Sequence, residues 1–86
     1  MWKVKYKVSV KKDLKKISKD NQYIIKRAIE DKLQTQPLKY GLPLRRSLKG
    51  YMKLRVGDFR IIYTIAKSTV TVHVIKIGHR RDVYKK

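Results

Sequence analysis

The 86-residue chain contains no cysteine and few acidic residues, glycines or prolines. Without cysteine, neither a disulfide nor a thiolate zinc site can stabilise a core of this limited size. The absence fits a protein of the reducing cytoplasm. With two histidines, the chain has no evident set of metal ligands. We therefore expect one domain over residues 1–86 that requires no metal and no other cofactor.

Other absences exclude further classes of protein. The chain has no apolar run near the roughly 20 residues that a membrane span requires. Its N-terminus lacks the pattern of an export signal. The six acids are scattered and suggest no pair of catalytic carboxylates, and four glycines form no phosphate-binding loop. No serine or cysteine is placed as a nucleophile.

Positive charge is what the chain has in abundance. It carries 24 Lys plus Arg against 6 Asp plus Glu, a net charge of +18. Such a chain repels itself and attracts polyanions. The composition therefore favours a nucleic-acid partner over a membrane, because the cations are not confined to one face of an amphipathic helix.

Apolar spacing predicts an α+β fold of order β-α-α-β-β-β. Residues 1–10 alternate as a strand with one wet face, of the antiparallel type, and Ser9 is expected to cap a helix over 10–18. A second helix, capped by Asp20 or Asn21, should run to about Gln34, and a long basic loop should follow over 35–50. The two helices should form a hairpin that packs on a small, mainly antiparallel sheet.

The segment from Tyr51 to Ile77 predicts three consecutive antiparallel strands, over 51–56, 59–66 and 69–77. Gly57-Asp58 is a two-residue hairpin signal, and it sets Arg55 opposite Arg60. One face should then carry Met52, Leu54, Val56, Phe59, Ile61, Tyr63, Val70, Val72 and Val74. The other should carry Lys53, Arg55, Arg60, His73, Ile75 and Ile77. Facing arginines cost stability unless they splay apart or hold an anion.

Cations gathered on one sheet face suit the cleavage of RNA. The 2′-hydroxyl of RNA attacks the adjacent phosphate, and the enzyme needs to orient the strand, stabilise the phosphorane and transfer protons. His79, Arg80 and Tyr84 are predicted just beyond the last strand, where a short tail would bring them over Lys53, Arg55 and Arg60. His73, on the same face beside Ile62, is expected to be structural.

The pattern as a set resembles the RelE/ParE superfamily of bacterial and archaeal toxins. The resemblance covers nearly the whole chain and is carried by the element order, the segment from Leu48 to Tyr63 and the ending from Ile77 to Tyr84. It implies a toxin that cleaves mRNA in the ribosomal A site and is held inactive by an antitoxin, which we expect to dock through an acidic segment.

The resemblance also implies roles for individual residues. Arg60 and Arg80 would stabilise the phosphorane, Lys53 would act as base or charge stabiliser, and Tyr84 would stack on an mRNA base. Tyr51 stands where the best-known members have a second lysine, so His79 becomes the candidate to share proton transfer. Further RNA-binding residues are expected at Arg45, Arg46, Lys49, Arg55 and Arg81.

Two other functions fit the same residues. A ParE-like toxin would poison DNA gyrase by binding and would need no nuclease activity, although it would have no chemical need for the set Lys53, Arg60, Arg80 and Tyr84. A basic RNA-binding protein would show no toxicity. Fold alone does not separate the three functions.

Overall fold

The computed structural model describes residues 1–44 and 50–81. Its strands are β1 (Lys3–Tyr6), β2 (Leu42–Pro43), β3 (Tyr51–Val56), β4 (Phe59–Ala66) and β5 (Thr71–His79). Its helices are α1 (Val8–Lys15), α2 (Lys19–Ala28) and α3 (Pro37–Tyr40), and a π-helical turn over Ile29–Leu33 extends α2. None of these described helices has the length and apolar character needed to cross a membrane.

The five strands form one sheet in the order β1-β5-β4-β3-β2, with the helices packed on one face. This confirms the predicted α+β class. The β3–β4 hairpin has the predicted register, with Val56 opposite Phe59 and Arg55 opposite Arg60. Gly57 adopts φ 59°, a left-handed conformation that glycine adopts without steric cost.

The N-terminal predictions were wrong in extent and direction. The first strand ends at Tyr6 and pairs parallel with β5, and α1 begins at Val8, so Ser9 lies inside the helix and does not cap it. Val10 belongs to two patterns, since it continues the alternation of residues 1–10 and also begins the helical spacing 10, 14, 17. The helical pattern prevails because it leaves Val10 fully buried beneath the helix.

Corrections also apply to the second helix and to the loop after it. Ser18, and not Asp20 or Asn21, caps α2, because its Oγ accepts the Asn21 N–H at 3.3 Å. The predicted loop over 35–50 contains α3 and β2. Elements of four and two residues are too short to show a period, which is why the sequence pattern missed them.

The core lies between the helices and one sheet face. α2 and the π-helical turn supply Ile25, Ile29 and Leu33, which lie four residues apart. The sheet supplies the predicted side chains Leu54, Ile61, Tyr63, Val72 and Val74, with Met52, Val56 and Phe59 packed at the margin. Val70 is an exception, because it ends the 3₁₀ turn over Lys67–Thr69 and is 46% exposed.

A β-bulge changes the second half of β5. Tyr63 pairs with Val74 but Ile62 pairs with Lys76, so β5 contains one extra residue, Ile75. Beyond it the alternation is reversed, and Ile77 lies opposite Ile61 in the core at 2% exposure. The prediction that Ile77 faces away from the helices is therefore wrong. His73 is also displaced, since it pairs with Thr64 and not beside Ile62.

Candidate active site

The strands collect positive charge on the face turned away from the helices. Pairing across the sheet places every cation of the described strands on this side, which we call the basic face: Lys3, Lys5, Lys53, Arg55, Arg60 and Lys76. The described strands contain no Asp or Glu. Their cations therefore share one face with no carboxylate on the same strands to neutralise them, which suits a polyanionic ligand.

Two hydrogen bonds hold Arg60 on this face. Its Nη1 donates hydrogen bonds to the carbonyl oxygens of Gly57 and Phe59, each at 3.0 Å. The guanidinium is thereby turned toward the hairpin turn, while Arg55, directly opposite, is exposed. A guanidinium has five N–H donors in a planar fork, so donors other than these remain for a phosphate.

Lys53 and Lys76 lie in one row across the sheet. Lys53 pairs with Ile62, and Ile62 pairs with Lys76. Strands lie 4.7–4.9 Å apart, so the two lysine backbones are about 10 Å apart, on either side of Ile62. Lys53 engages in a further interaction within the protein. The row brings Lys76 to the basic face, a residue absent from the predicted site.

A signal for Lys76 was present in the sequence. An unbroken alternation through β5 turns Lys76 toward the helices and exposes Ile75 and Ile77. Burying an unpaired ammonium is costly, so that arrangement conflicts with the physical chemistry of the side chains. A bulge near Ile75 resolves the conflict by moving the lysine to the basic face and the isoleucine to the core.

His79 lies at a different place from the one predicted. It is the last residue of β5, opposite Phe59, and its ring meets the Phe59 ring edge-on with centroids 5.9 Å apart. Phe59 packs at the core margin, so His79 lies on the helix side of the sheet and not over Lys53. Its Nδ1 accepts the Arg81 N–H at 3.1 Å, which leaves Nε2 to carry the imidazole hydrogen.

Gly78 and Arg80 follow the opposite alternation to His79. Gly78 pairs with Arg60 and contributes no side chain to the basic face at that point. The Arg80 N–H donates to the Asp58 carbonyl at 2.8 Å, which continues the β4–β5 pairing past the end of β5. If the alternation continues from Gly78, we expect the Arg80 side chain on the basic face, at the same end of the sheet as Arg60.

Other predicted site residues have different outcomes. Tyr51 pairs with Thr64 and shares the basic face with Lys53, two residues away. Arg81 is exposed next to His79. Arg45, Arg46, Lys49 and Tyr84 lie outside the described residues. Across residues 1–44 and 50–81, no three His, Asp or Glu side chains are grouped as metal ligands.

Comparison with known families identifies the fold. The family model of the ParE toxin of type II toxin-antitoxin systems matches residues 4–84. This chain belongs to the RelE/ParE toxin superfamily. The match confirms the resemblance drawn from the sequence, and it includes the β3–β4 hairpin, which carries Lys53, Arg55 and Arg60.

A curated relative and two solved structures are similar to this RelE/ParE chain. Toxin RelG of Mycobacterium tuberculosis is 39% identical over 54 residues, which is 63% of this chain and 62% of that protein. The chain thus matches less than two thirds of that relative. The toxin-antitoxin complex RelBE2 of the same species superposes with TM-score 0.87 at 29% identity, over 92% of this chain and 98% of that one.

The isolated Escherichia coli RelE toxin shares the fold at lower identity. Its TM-score is 0.75 at 17% identity, over 92% of this chain and 84% of that chain. At this identity the likeness concerns the fold alone. The architecture of this RelE/ParE chain is thus found in toxins whose sequences have diverged widely.

Proposed function

We propose that this RelE/ParE protein is a ribosome-dependent mRNA endonuclease. The observation that carries the proposal is the basic face, where Lys53, Arg60 and Lys76 come from three adjacent strands and the described strands contain no carboxylate. Arg80 is tied by its backbone to the end of the same hairpin. Cations fixed on a rigid sheet can stabilise charge that develops on a phosphate.

The reaction uses a nucleophile that the RNA supplies. The 2′-oxygen attacks the adjacent phosphorus as its proton passes to a base, and the O2′–P bond forms. The P–O5′ bond breaks, and the 5′-oxygen leaves with a proton from an acid. The products are a 2′,3′-cyclic phosphate and a 5′-hydroxyl. This chemistry needs cations near the phosphorane oxygens, and side chains suffice to supply them.

The proposed roles rest on the placement of Arg60 and Arg80 and, for the other residues, on the family resemblance. Arg60, held by the carbonyls of Gly57 and Phe59, presents its remaining donors to the phosphorane oxygens, and Arg80 joins it from the turn after β5. Lys53 is the base or a charge stabiliser. Arg55, Arg81, Arg45, Arg46 and Lys49 are proposed to contact the RNA backbone. Tyr84 is proposed to stack on an mRNA base, as the family resemblance implies.

His79 stays in the proposal with a restricted role. Since its ring lies against Phe59 on the helix side, it reaches only a substrate that passes round the end of β5. Nε2 carries the imidazole hydrogen when Nδ1 accepts from Arg81, so the proposed donor atom is Nε2. Full activity of His79→Ala in translation-coupled cleavage would remove it from the mechanism.

A ribosome would supply the substrate orientation that the basic face alone does not provide. The basic face offers charge stabilisation but no evident acid–base pair, and orientation of the mRNA by the ribosome lowers the demand on the protein by several kcal/mol. The proposal therefore places the protein in the cytoplasm, where it inhibits translation, and it expects little cleavage of naked RNA.

Mapping mRNA 5′ ends tests the proposal. A cell-free translation reaction receives wild type, Arg80→Ala or Arg27→Ala, the last being an exposed arginine of α2 paired with Asp31. Wild type and Arg27→Ala should create new 5′-hydroxyl ends in codons positioned in the A site, and Arg80→Ala should create far fewer. Uncut mRNA with folded wild-type protein would refute the endonuclease.

The matched ParE family model favours a second function, a toxin that poisons DNA gyrase without nuclease activity. Induction in cells separates the two. A nuclease halts protein synthesis first, whereas a gyrase poison halts replication and induces the DNA-damage response. A basic RNA-binding protein would do neither and would leave growth unaffected.

The proposed protein partner is a cognate antitoxin with an acidic docking segment. The solved structure of the RelBE2 proteins is a toxin-antitoxin complex, and a charge of +18 favours a partner that offsets it. The antitoxin is proposed to cover the basic face or to displace the C-terminal tail. A complex that leaves both unchanged would contradict this docking mode.

A further inference from the structure

We propose that Asp13, on α1, is a positioning residue that holds the end of β5 and thereby places Arg80 beside Arg60. The inference rests on the proposed nuclease function, in which Arg80 contacts the scissile phosphate. Asp13 itself does not lie on the basic face, and it acts through the backbone of β5.

The outer edge of β5 changes partner along its length. β1 pairs with the first part of this strand only, from Thr71 to Val74. The chain then leaves the sheet, since α1 begins at Val8. From Ile75 to His79 no described strand lies on this side of β5. An N–H group that points outward there needs another acceptor.

The pairing with β4 shows which N–H groups point outward. Residues 58 and 80 are joined by the Arg80 N–H to Asp58 carbonyl bond. Hydrogen-bonded and non-hydrogen-bonded pairs alternate in antiparallel strands, so 60 and 78 form the next bonded pair. Ile77, opposite Ile61 in a non-bonded pair, therefore points its N–H toward the open edge.

The Asp13 carboxylate meets this N–H. Its Oδ2 accepts the Ile77 N–H at 3.3 Å, between residues 64 positions apart in the sequence. Ile77 is almost fully buried, so water cannot readily replace the acceptor. Asp13 and His79 also line one cavity of about 290 Å³ at this corner of the sheet. The aspartate thus takes the place of a neighbouring strand at the point where the neighbour is missing.

The position of this bond along β5 links it to the site. It lies two residues after Ile75, the extra residue of the bulge, where the β4–β5 ladder is interrupted. Arg80 follows three residues later, with Gly78 between, and lies in the turn just past the end of β5. Loss of the Asp13 bond should let the segment from Gly78 to Arg80 shift relative to Arg60, while the core residues stay in place.

The experiment is a double-mutant cycle in the translation-coupled cleavage assay. It compares Asp13→Ala, Arg80→Ala and the double variant, with Asp13→Asn and Asp20→Ala as controls. Asp13→Asn keeps an acceptor oxygen and loses the charge, and Asp20→Ala removes an equal charge from α2. We expect Asp13→Ala to lower kcat about tenfold to a hundredfold with KM changed less than about threefold, because misplacement of about 1 Å costs that much.

The controls fix the interpretation. Asp13→Asn should retain most of the activity, and Asp20→Ala should match wild type. In the Arg80→Ala background, Asp13→Ala should lower kcat little further, because the residue that it positions is already gone. Additive losses, or equal losses in Asp13→Asn and Asp13→Ala when both are folded, would overturn the positioning role. If Asp13→Ala does not fold, Asp13→Ser replaces it, since its shorter side chain falls short of the Ile77 amide.

Amide hydrogen exchange tests the positioning without any nuclease assay. The Ile77 and Arg80 amides should exchange faster in Asp13→Ala than in wild type and Asp13→Asn, whereas the Ile61 amide should not change. Unchanged exchange at Ile77 and Arg80 would overturn the inference. If the Ile77 and Arg80 amides exchange faster in Asp13→Ala but the wild-type protein cuts no mRNA, the positioning of Arg80 is supported and the proposed nuclease is refuted.

Discussion

The hydroxyl of Tyr63 occupies the space that a Cβ atom at position 41 would need. Tyr63 is fully buried in β4, and its hydroxyl donates to the Pro37 carbonyl at 2.7 Å. Gly41 follows α3 with φ −84°, so it is required for space and not for an unusual backbone conformation. The contact fastens α3 to the sheet, although α3 and β4 are far apart in the sequence.

Gly41→Ala should therefore destabilise the protein. The added methyl group overlaps the Tyr63 hydroxyl and ring, and overpacking of this kind costs about 1–3 kcal/mol. Urea denaturation measures the change in the free energy of unfolding. In a Tyr63→Leu background the same substitution should cost less, because the overlapping atoms are gone. Equal costs in the two backgrounds would show that the overlap is not the cause.

Tyr63 should also make stability depend on high pH. Burial raises the pKa of Tyr63 to about 12, against 10.0 for a free tyrosine. Well below pH 10 the Tyr63 hydroxyl is neutral in both the folded and the unfolded protein, so its hydrogen bond to Pro37 contributes fully to stability there. Between pH 10 and 12 the unfolded state ionises first, which by linkage removes about 1.4 kcal/mol of native stability at pH 11.

Comparison with Tyr63→Phe isolates this effect from the titration of the lysines. At pH 8 wild type should be more stable by about 1 kcal/mol, the net value of the hydrogen bond to Pro37. At pH 11 that advantage should vanish or reverse, as measured by urea denaturation of both proteins. A constant difference from pH 8 to pH 11 would contradict the assigned pKa.

The hairpin and the bulge show how far pattern reasoning extends. The turn Gly57-Asp58 and strict alternation predicted every pair from Val56–Phe59 to Lys53–Ile62, because a two-residue loop leaves one register. No turn residue marks the bulge, and its one sign in the sequence is that unbroken alternation would bury Lys76 and expose Ile77, whereas the bulge sets Ile77 opposite Ile61 in the core. The side on which His79 lies depends on that bulge, and so it was predicted wrongly.

The predicted site residues were correct before the bulge and incomplete after it. Lys53, Arg55 and Arg60 lie on one face as predicted, since all three belong to the hairpin whose register the turn determines. Lys76 was missed, because it belongs to the strand after the bulge. Period-two alternation predicts which residues share a sheet face as far as the first β-bulge. The position of the bulge is set by tertiary packing, and the alternation beyond it is reversed.

Lys76→Ala should weaken RNA binding more than catalysis. Lys76 faces the same side as Lys53 but about 10 Å away across two strands, a distance that suits a neighbouring phosphate. Each phosphate contact to single-stranded nucleic acid contributes about −0.7 to the slope of log affinity against log salt. Binding of a single-stranded RNA oligonucleotide at several salt concentrations should show a slope shallower by about that amount.

A control for Lys76→Ala is Lys67→Ala. Lys67 lies in the 3₁₀ turn between β4 and β5, at the opposite end of these strands from Arg60. Lys67→Ala lowers the net charge by the same amount as Lys76→Ala, but it should change the slope of log affinity against log salt much less. Equal changes for the two lysines would mean that RNA binds by total charge and not at the basic face.

Arg60→Ala should cost the most activity of any single substitution on the basic face. The carbonyls of Gly57 and Phe59 fix its guanidinium, so its remaining donors are already oriented before the substrate arrives. Removing an oriented donor of this kind lowers kcat by about 10²- to 10³-fold. Arg60→Lys should recover only part of that loss, because a single ammonium cannot hold both carbonyls and form a planar fork on a phosphate.

Translation-coupled cleavage measures both variants against Arg27→Ala, which has the same net charge as Arg60→Ala and leaves the basic face intact. Wild-type kcat in a folded Arg60→Ala protein would mean that the phosphate binds elsewhere on the sheet.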